Sequence, residues 1–361
     1  MASLHIDKEM AEITIRTDIY EYDKGFQAYK NGTTDEKNTL SANYCFLKSL
    51  QDQGFFSNAD QPTVVGAMGC GKGDSIIKFL KDIQFKAGLD IRALDASPDI
   101  SSDGSGTVDE NAPVFRNLAD AQKSQIIPLK SYRIKRGEMV QSDLSSLLFT
   151  EQERQQSKNR FDLAYFAHSL YFAPLSKILD KVFTDLISDN GIAILFHTNL
   201  KPDSNGSLSM HSLGMIADIV PTDEECKTLS MDRLVPASCQ ELGLTYFEIP
   251  YKSGLYFSSN FKNYVDIFKD INRYHEIRNN NEAIQDLYRL NFLCHRSLAE
   301  ASADSSTRGW AHYVDFAADV IDKHGCINIF TTMYIILGQN VTPEVKQKVE
   351  AAVKHTQANA P

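Results

Sequence analysis

The chain has 361 residues, with 37 Lys and Arg against 47 Asp and Glu and a formal net charge of −10. Apolar residues make up 42% and charged residues 23%, a composition that excludes a disordered or fibrous chain. Neutralising phosphate needs clustered cations, and the densest group, Tyr132-Arg133-Ile134-Lys135-Arg136, reads as a strand with a solvated face, so neither nucleic acid nor an anionic membrane is expected as a partner.

Residues 1–17 read as a loose leader without the apolar core of a secretory signal. No apolar run approaches the roughly 20 residues of a membrane span. Residues 18–53 are helical by spacing, with Tyr20, Phe26, Tyr29, Tyr44, Phe46, Leu47 and Leu50 recurring on one face and Asn31-Gly32 breaking the run in two. Thr63 to Ala67 is a short β-branched strand, followed by a glycine-rich turn and a helix from Asp74 to Leu80. Leu89 to Asp95 is a second strand and Ala112 to Ser124 a helix. Tyr132 to Val140 is a third strand, closed by Ser142-Asp143, and Phe161 to Ala167 a fourth. Leu175, Ile178, Leu179, Val182, Phe183 and Leu186 mark an amphipathic helix over 175–187, stopped by Asp189-Asn190-Gly191. Ile192 to Phe196 is an apolar strand of the kind buried on both faces. Pro236 to Leu242 is a helix, Leu244 to Pro250 a strand, 261–323 largely helical, and Ile327 to Leu337 a last strand. Ser204 to Ser212 is small and polar, as a lid would be.

Strand and helix alternate from 63 to 196, which argues a parallel sheet with helices on both faces. The six cysteines (Cys45, Cys70, Cys226, Cys239, Cys294 and Cys326) form no C-x-x-C pair, as expected of reduced thiols in a cytoplasmic protein. The nine histidines show no metal-ligand spacing, so no metal is expected.

The segment Gly66-Ala67-Met68-Gly69-Cys70-Gly71-Lys72-Gly73-Asp74 carries the most chemical information. It joins a strand to a helix, where backbone N–H groups and the positive helix end meet a ligand. Gly66-x-x-x-x-Gly71-Lys72 fits a P-loop up to its last position, where Ser or Thr must ligate magnesium and Gly73 stands instead. A dinucleotide fingerprint needs G-x-G-x-x-G, and the third glycine comes one residue early. A purely structural turn is a further alternative. The favoured reading is an S-adenosylmethionine site. Asp95 supplies the acidic residue expected about 20 residues on, able to accept both ribose hydroxyls. Ser97 stands over the same sugar, Ser142 and Asp143 can meet the adenine amino group, and Ala167-His168 closes the fourth strand.

On these residues the chain resembles the class I S-adenosylmethionine-dependent methyltransferases, most closely the histamine N-methyltransferases. Gly69 to Asp74, Leu94-Asp95-Ala96-Ser97, and Phe161-Asp162 through His168-Ser169-Leu170-Tyr171-Phe172 carry the likeness. So do Cys239 to Tyr246, the final strand from Ile329, and Tyr22 to Glu36. The resemblance implies an α/β fold: a doubly wound, Rossmann-like, seven-stranded sheet with the last strand antiparallel, N-terminal helices and a C-terminal helical insertion. It implies methyl transfer to a small molecule, with S-adenosylhomocysteine as product. Gly69, Gly71, Gly73, Asp95, Ser97, Ser142, Asp143 and Ala167 would hold the donor. Phe26, Tyr29, Asp35, Glu36, His168, Tyr171 and Phe172 would hold the acceptor, between the N-terminal helices and the end of the fourth strand. Two departures stand out: Ala67 replaces the usual acid before the first glycine, and His168 stands where the family places an amide.

An amine nucleophile must be neutral, and an imidazole with pKa near ~6.5 can take its proton, so His168 is the candidate base. His197 is a lesser one. Trp310 and Tyr313 are expected in the core. The expected organisation is a cap over 1–60, a donor-binding core over 61–254, an insertion over 255–325, a last strand over 326–340 and a tail over 341–361. The expected state is a cytoplasmic monomer or homodimer. The rivals are a P-loop-like nucleotide hydrolase and a catalytically silent S-adenosylmethionine-binding protein.

Overall fold

The β-branched and apolar runs become seven strands of one mixed sheet in the computed structural model, which describes residues 19–95, 112–137, 139, 143–155, 160–167, 175–198, 231–294 and 307–359. The strands are β1 (Thr63–Met68), β2 (Leu89–Asp95), β3 (Leu129–Arg136), β4 (Phe161–Ala167), β5 (Ile187–Thr198), β6 (Thr245–Leu255) and β7 (Ile327–Leu337). Their order is β3-β2-β1-β4-β5-β7-β6. β1 pairs in parallel with β2 and β4, β2 with β3, and β4 with β5, whereas β7 runs antiparallel to β5. This is the Rossmann-like α/β sheet with its last strand antiparallel. Strand order reverses between β1 and β4, so the crevice outside the carboxyl end of β1 is the switch point where such sheets bind ligands.

The described residues fall into two compact units, one comprising 19–37, 252–294 and 307–330, the other the rest. In the sheet-bearing unit, strand side chains alternate between two cores, as the period of two requires. Val65, Ala67, Leu163, Tyr165 and Ile194 pack with α2 (Asp35–Asp52), α3 (Asp74–Leu80) and α4 (Pro113–Ser124). Met68, Ala164, Phe166 and Leu195 pack on the other face with α5 (Leu144–Leu148) and α7 (Leu175–Asp185). The short α6 (Glu151–Gln155) lies between these two, and α8 (Met231–Glu241) precedes β6. The C-terminal residues, expected as a tail, form α12 (Pro343–Asn359), whose Val349, Ala352 and Val353 are buried.

The smaller unit holds α1 (Ile19–Gly32), the short α9 (Val265–Phe268), α10 (Asn281–Cys294) and α11 (Thr307–His324). Trp310 and Tyr313 are core residues there: Trp310 Nε1 donates to Phe268 O at 2.6 Å and Tyr313 Oη to Leu290 O at 3.1 Å.

Several boundaries differ from the sequence expectation, two of them in ways that change how residues are read. β3 ends at Arg136, and the Gly137 N–H makes a last bond to β2 on Asp95 O at 3.0 Å. Asp143 therefore does not close a strand; it is the N-cap of α5. And Asp189-Asn190-Gly191 does not stop a helix. α7 ends at Asp185, and those residues lie inside β5, where the register jumps from Phe161↔Ile187 to Leu163↔Ile192. A Cβ on Gly191 would sit 2.4 Å from Phe161 O, so glycine is what lets the irregular strand close against β4.

Candidate functional site

Residues 69–73 carry the chain from β1 to α3 over the carboxyl edge of the sheet. Gly69, Gly71 and Gly73 have φ of 69°, 51° and 76°, left-handed backbone that costs other L-residues roughly 1–2 kcal/mol each. Four of the loop's N–H groups are committed within the protein. Gly69 and Cys70 donate to Leu94 O at 2.7 and 3.3 Å, and Gly73 donates to Cys70 O at 2.9 Å. Gly71 donates to Oδ2 of Asp95 at 2.6 Å. For these four groups, the expectation that the loop's N–H groups meet a ligand is corrected. The glycines instead give clearance: among the described residues, a Cβ on Gly71 would meet nothing within 4 Å.

Asp95 ends β2 and faces that loop. Cys70 is half-buried; burial, reinforced by the Asp95 charge, pushes its thiol far above the ordinary range. It stays protonated and is no nucleophile. Ala167 ends β4 with a small, half-buried side chain. Asp143 is exposed and accepts from Ser146 N at 3.1 Å. That bond holds its carboxyl below the usual range. Ser97, Ser142, His168, Tyr171 and Phe172 lie outside the described residues, as does the stretch from Ser204 to Ser212.

In the smaller unit the structure brings Phe26, Tyr29 and Asp35 together. Asp35 opens α2 and is only 5% exposed. Tyr29 Oη donates to its Oδ2 and Ser253 Oγ to its Oδ1, each at 3.3 Å. Phe26 and Tyr29 pack on Phe292 with centroids 5.8 and 5.0 Å away. Glu36 points outward to Lys30 at 3.6 Å. His197 is buried within β5.

Sequence reasoning passed over Asn117 on α4, whose Nδ2 donates to Lys72 O at 2.7 Å across 45 residues of chain. No motif marks such a residue; only its place on the helix facing the loop does.

No protein-family model matches the chain, and no curated relative does. Among solved structures, it is similar to a putative sarcosine dimethylglycine methyltransferase from Galdieria sulphuraria, at 12% identity, TM-score 0.38, over 80% of this chain and 83% of that one. Phosphoethanolamine N-methyltransferase 2 from Haemonchus contortus, in complex with S-adenosyl-L-methionine, matches at 11% identity, TM-score 0.37, over 81% of this chain and 52% of that one. A methyltransferase from Geobacter sulfurreducens bound to S-adenosyl-L-homocysteine matches at 11% identity, TM-score 0.37, over 81% and 91%.

Proposed function

We propose that the chain is an S-adenosylmethionine-dependent methyltransferase acting on a small molecule, at an amine nitrogen. The observation that carries this reading is the Asp95 carboxylate at the end of β2, held against the glycine loop at the switch point of the sheet. The residues fit the donor: no described residue crowds Gly71, and an acidic acceptor lies next to it. They fit a triphosphate poorly. Asp95 places a negative charge where phosphate would have to sit, four loop N–H groups are already engaged, and Gly73 has no hydroxyl for magnesium.

The bound sulfonium supplies a pre-activated methyl group. The chain's own part is alignment, with the nucleophile ~3–3.5 Å from the methyl carbon. Asp95, with Ser97, accepts the ribose hydroxyls; Gly69, Gly71 and Gly73 let the backbone approach; Ser142, Asp143 and Ala167 border the adenine. His168 takes the amine's proton. Phe26, Tyr29, Asp35 and Glu36 favour a cationic amine, and Tyr171 and Phe172 give it an apolar wall.

Isothermal titration with S-adenosylmethionine, S-adenosylhomocysteine, ATP and NAD tests this. Micromolar or tighter binding of the first two alone is expected. Magnesium-dependent ATP binding sinks the reading in favour of a nucleotide hydrolase. Donor binding without turnover of any small amine identifies a silent binder. Histamine belongs in that amine panel as the acceptor of the family resembled, with others beside it because His168 replaces the family's amide.

A further inference from the structure

We infer that Asn117 is a positioning residue of the donor site, fixing the direction of one peptide plane in the glycine loop. The inference rests on reading that loop as the donor cradle. The plane in question joins Lys72 to Gly73. Its carbonyl accepts from Asn117 Nδ2 at 2.7 Å, and its N–H donates to Cys70 O at 2.9 Å. The plane is flanked by Lys72 and Gly73, and Gly73, like Gly71 before Lys72, has left-handed backbone. Gly73 has no Cβ to oppose rotation about its φ, so on that side hydrogen bonds rather than sterics hold the direction of this peptide.

The two halves of the loop are anchored from different elements. Gly69, Cys70 and Gly71 are tied to Leu94 and Asp95 of β2. The second half leans on α4, where Val114 Cγ2 lies 3.0 Å from the position of a Gly73 Cβ and Asn117 supplies the polar tie. Without Asn117 the Lys72–Gly73 peptide populates more than one direction. Ligand then binds only the competent fraction, and apparent affinity falls in proportion to that fraction.

The test compares wild type with N117A and N117D. The second is nearly isosteric but has no N–H to donate. Three readouts are needed: S-adenosylhomocysteine affinity by titration calorimetry, melting temperature without ligand, and amide hydrogen exchange. Both variants are expected to bind roughly five- to tenfold more weakly, to melt within about 2 °C of wild type, and to exchange faster at residues 70–74 alone. Wild-type affinity in N117D overturns the inference. So does faster exchange throughout the sheet with a falling melting temperature, the mark of a merely structural residue. If wild type binds no S-adenosylhomocysteine, the methyltransferase reading fails by itself. Exchange at 70–74 then decides whether Asn117 braces the loop, and unchanged exchange there overturns it.

Discussion

Asp95 has two tasks on one carboxylate: Oδ2 holds the Gly71 N–H, and the same group is the proposed ribose acceptor. Removing the group therefore loosens the loop and deletes a charged acceptor together. D95A is expected to weaken S-adenosylhomocysteine binding at least ~10-fold, about 1.4 kcal/mol. D95N keeps an oxygen for Gly71 but loses the charge, and should fall between the two. Equal affinities for wild type and D95A, measured by titration calorimetry, would remove the ribose assignment. Asp95 was readable in the sequence because its distance from the glycines and its place after an apolar run are both local signals. Asn117 was not, because its partner is a backbone carbonyl whose direction only the folded loop defines.

At the scale of elements, the sheet edge under α5 and α6 is held by a charged network that the sequence did not announce. Arg92 on β2 is 5% exposed. It donates to Asp90 at 2.6 Å, Glu153 at 2.7 Å and Leu148 O at 2.9 Å, with its guanidinium 4.6 Å from the Phe149 ring. Burial alone would raise the Glu153 carboxyl; bonds from Arg92 and from Thr150 N–H outweigh it and hold the group down at about 2. The stability this contributes is present above the unfolded value near ~4.3 and is lost as pH falls toward 2. R92M leaves Asp90 without this cation and Glu153 with only Arg133 at 3.3 Å, so a loss toward the lower end of about 3–5 kcal/mol is expected in urea denaturation at pH 7. A loss under about 1 kcal/mol would mean the network behaves like an exposed ion pair.

Asp162 at the start of β4 shifts the opposite way. Burial pushes its carboxyl up to about 6, only partly offset by the bond it accepts from Val64 N at 2.8 Å. Its folded value lies above the unfolded ~3.9. The folded state therefore gains as pH falls through 6, and above 6 the ionised group costs about 3 kcal/mol relative to its neutral form. D162N keeps an acceptor for Val64 without the charge. It should be more stable than wild type at pH 7.5, with the difference shrinking between pH 6 and 4. A gap in melting temperature that does not change with pH would contradict the assignment.

For the whole molecule, alternating strand and helix runs specified the parallel sheet, and the apolar run Ile192 to Phe196 specified a strand buried on both faces. What escaped was set by tertiary contact. The irregular entry of β5 depends on Gly191 passing Phe161 O, and α12 on burying Val349, Ala352 and Val353 against the core, although their helical spacing was there to be read. Every described donor-site residue belongs to the sheet-bearing unit, so ligand binding must appear there as stability. S-adenosylhomocysteine at 100 times its dissociation constant is expected to stabilise that unit by about 2.7 kcal/mol. The signature is slower hydrogen exchange in β1, β2 and residues 69–73, growing with the logarithm of ligand concentration. ATP at the same multiple of the nucleoside concentration should leave those amides unchanged. Protection that appears with ATP and magnesium, or that misses β1 and β2 altogether, would place the ligand somewhere other than the loop that Asp95 holds.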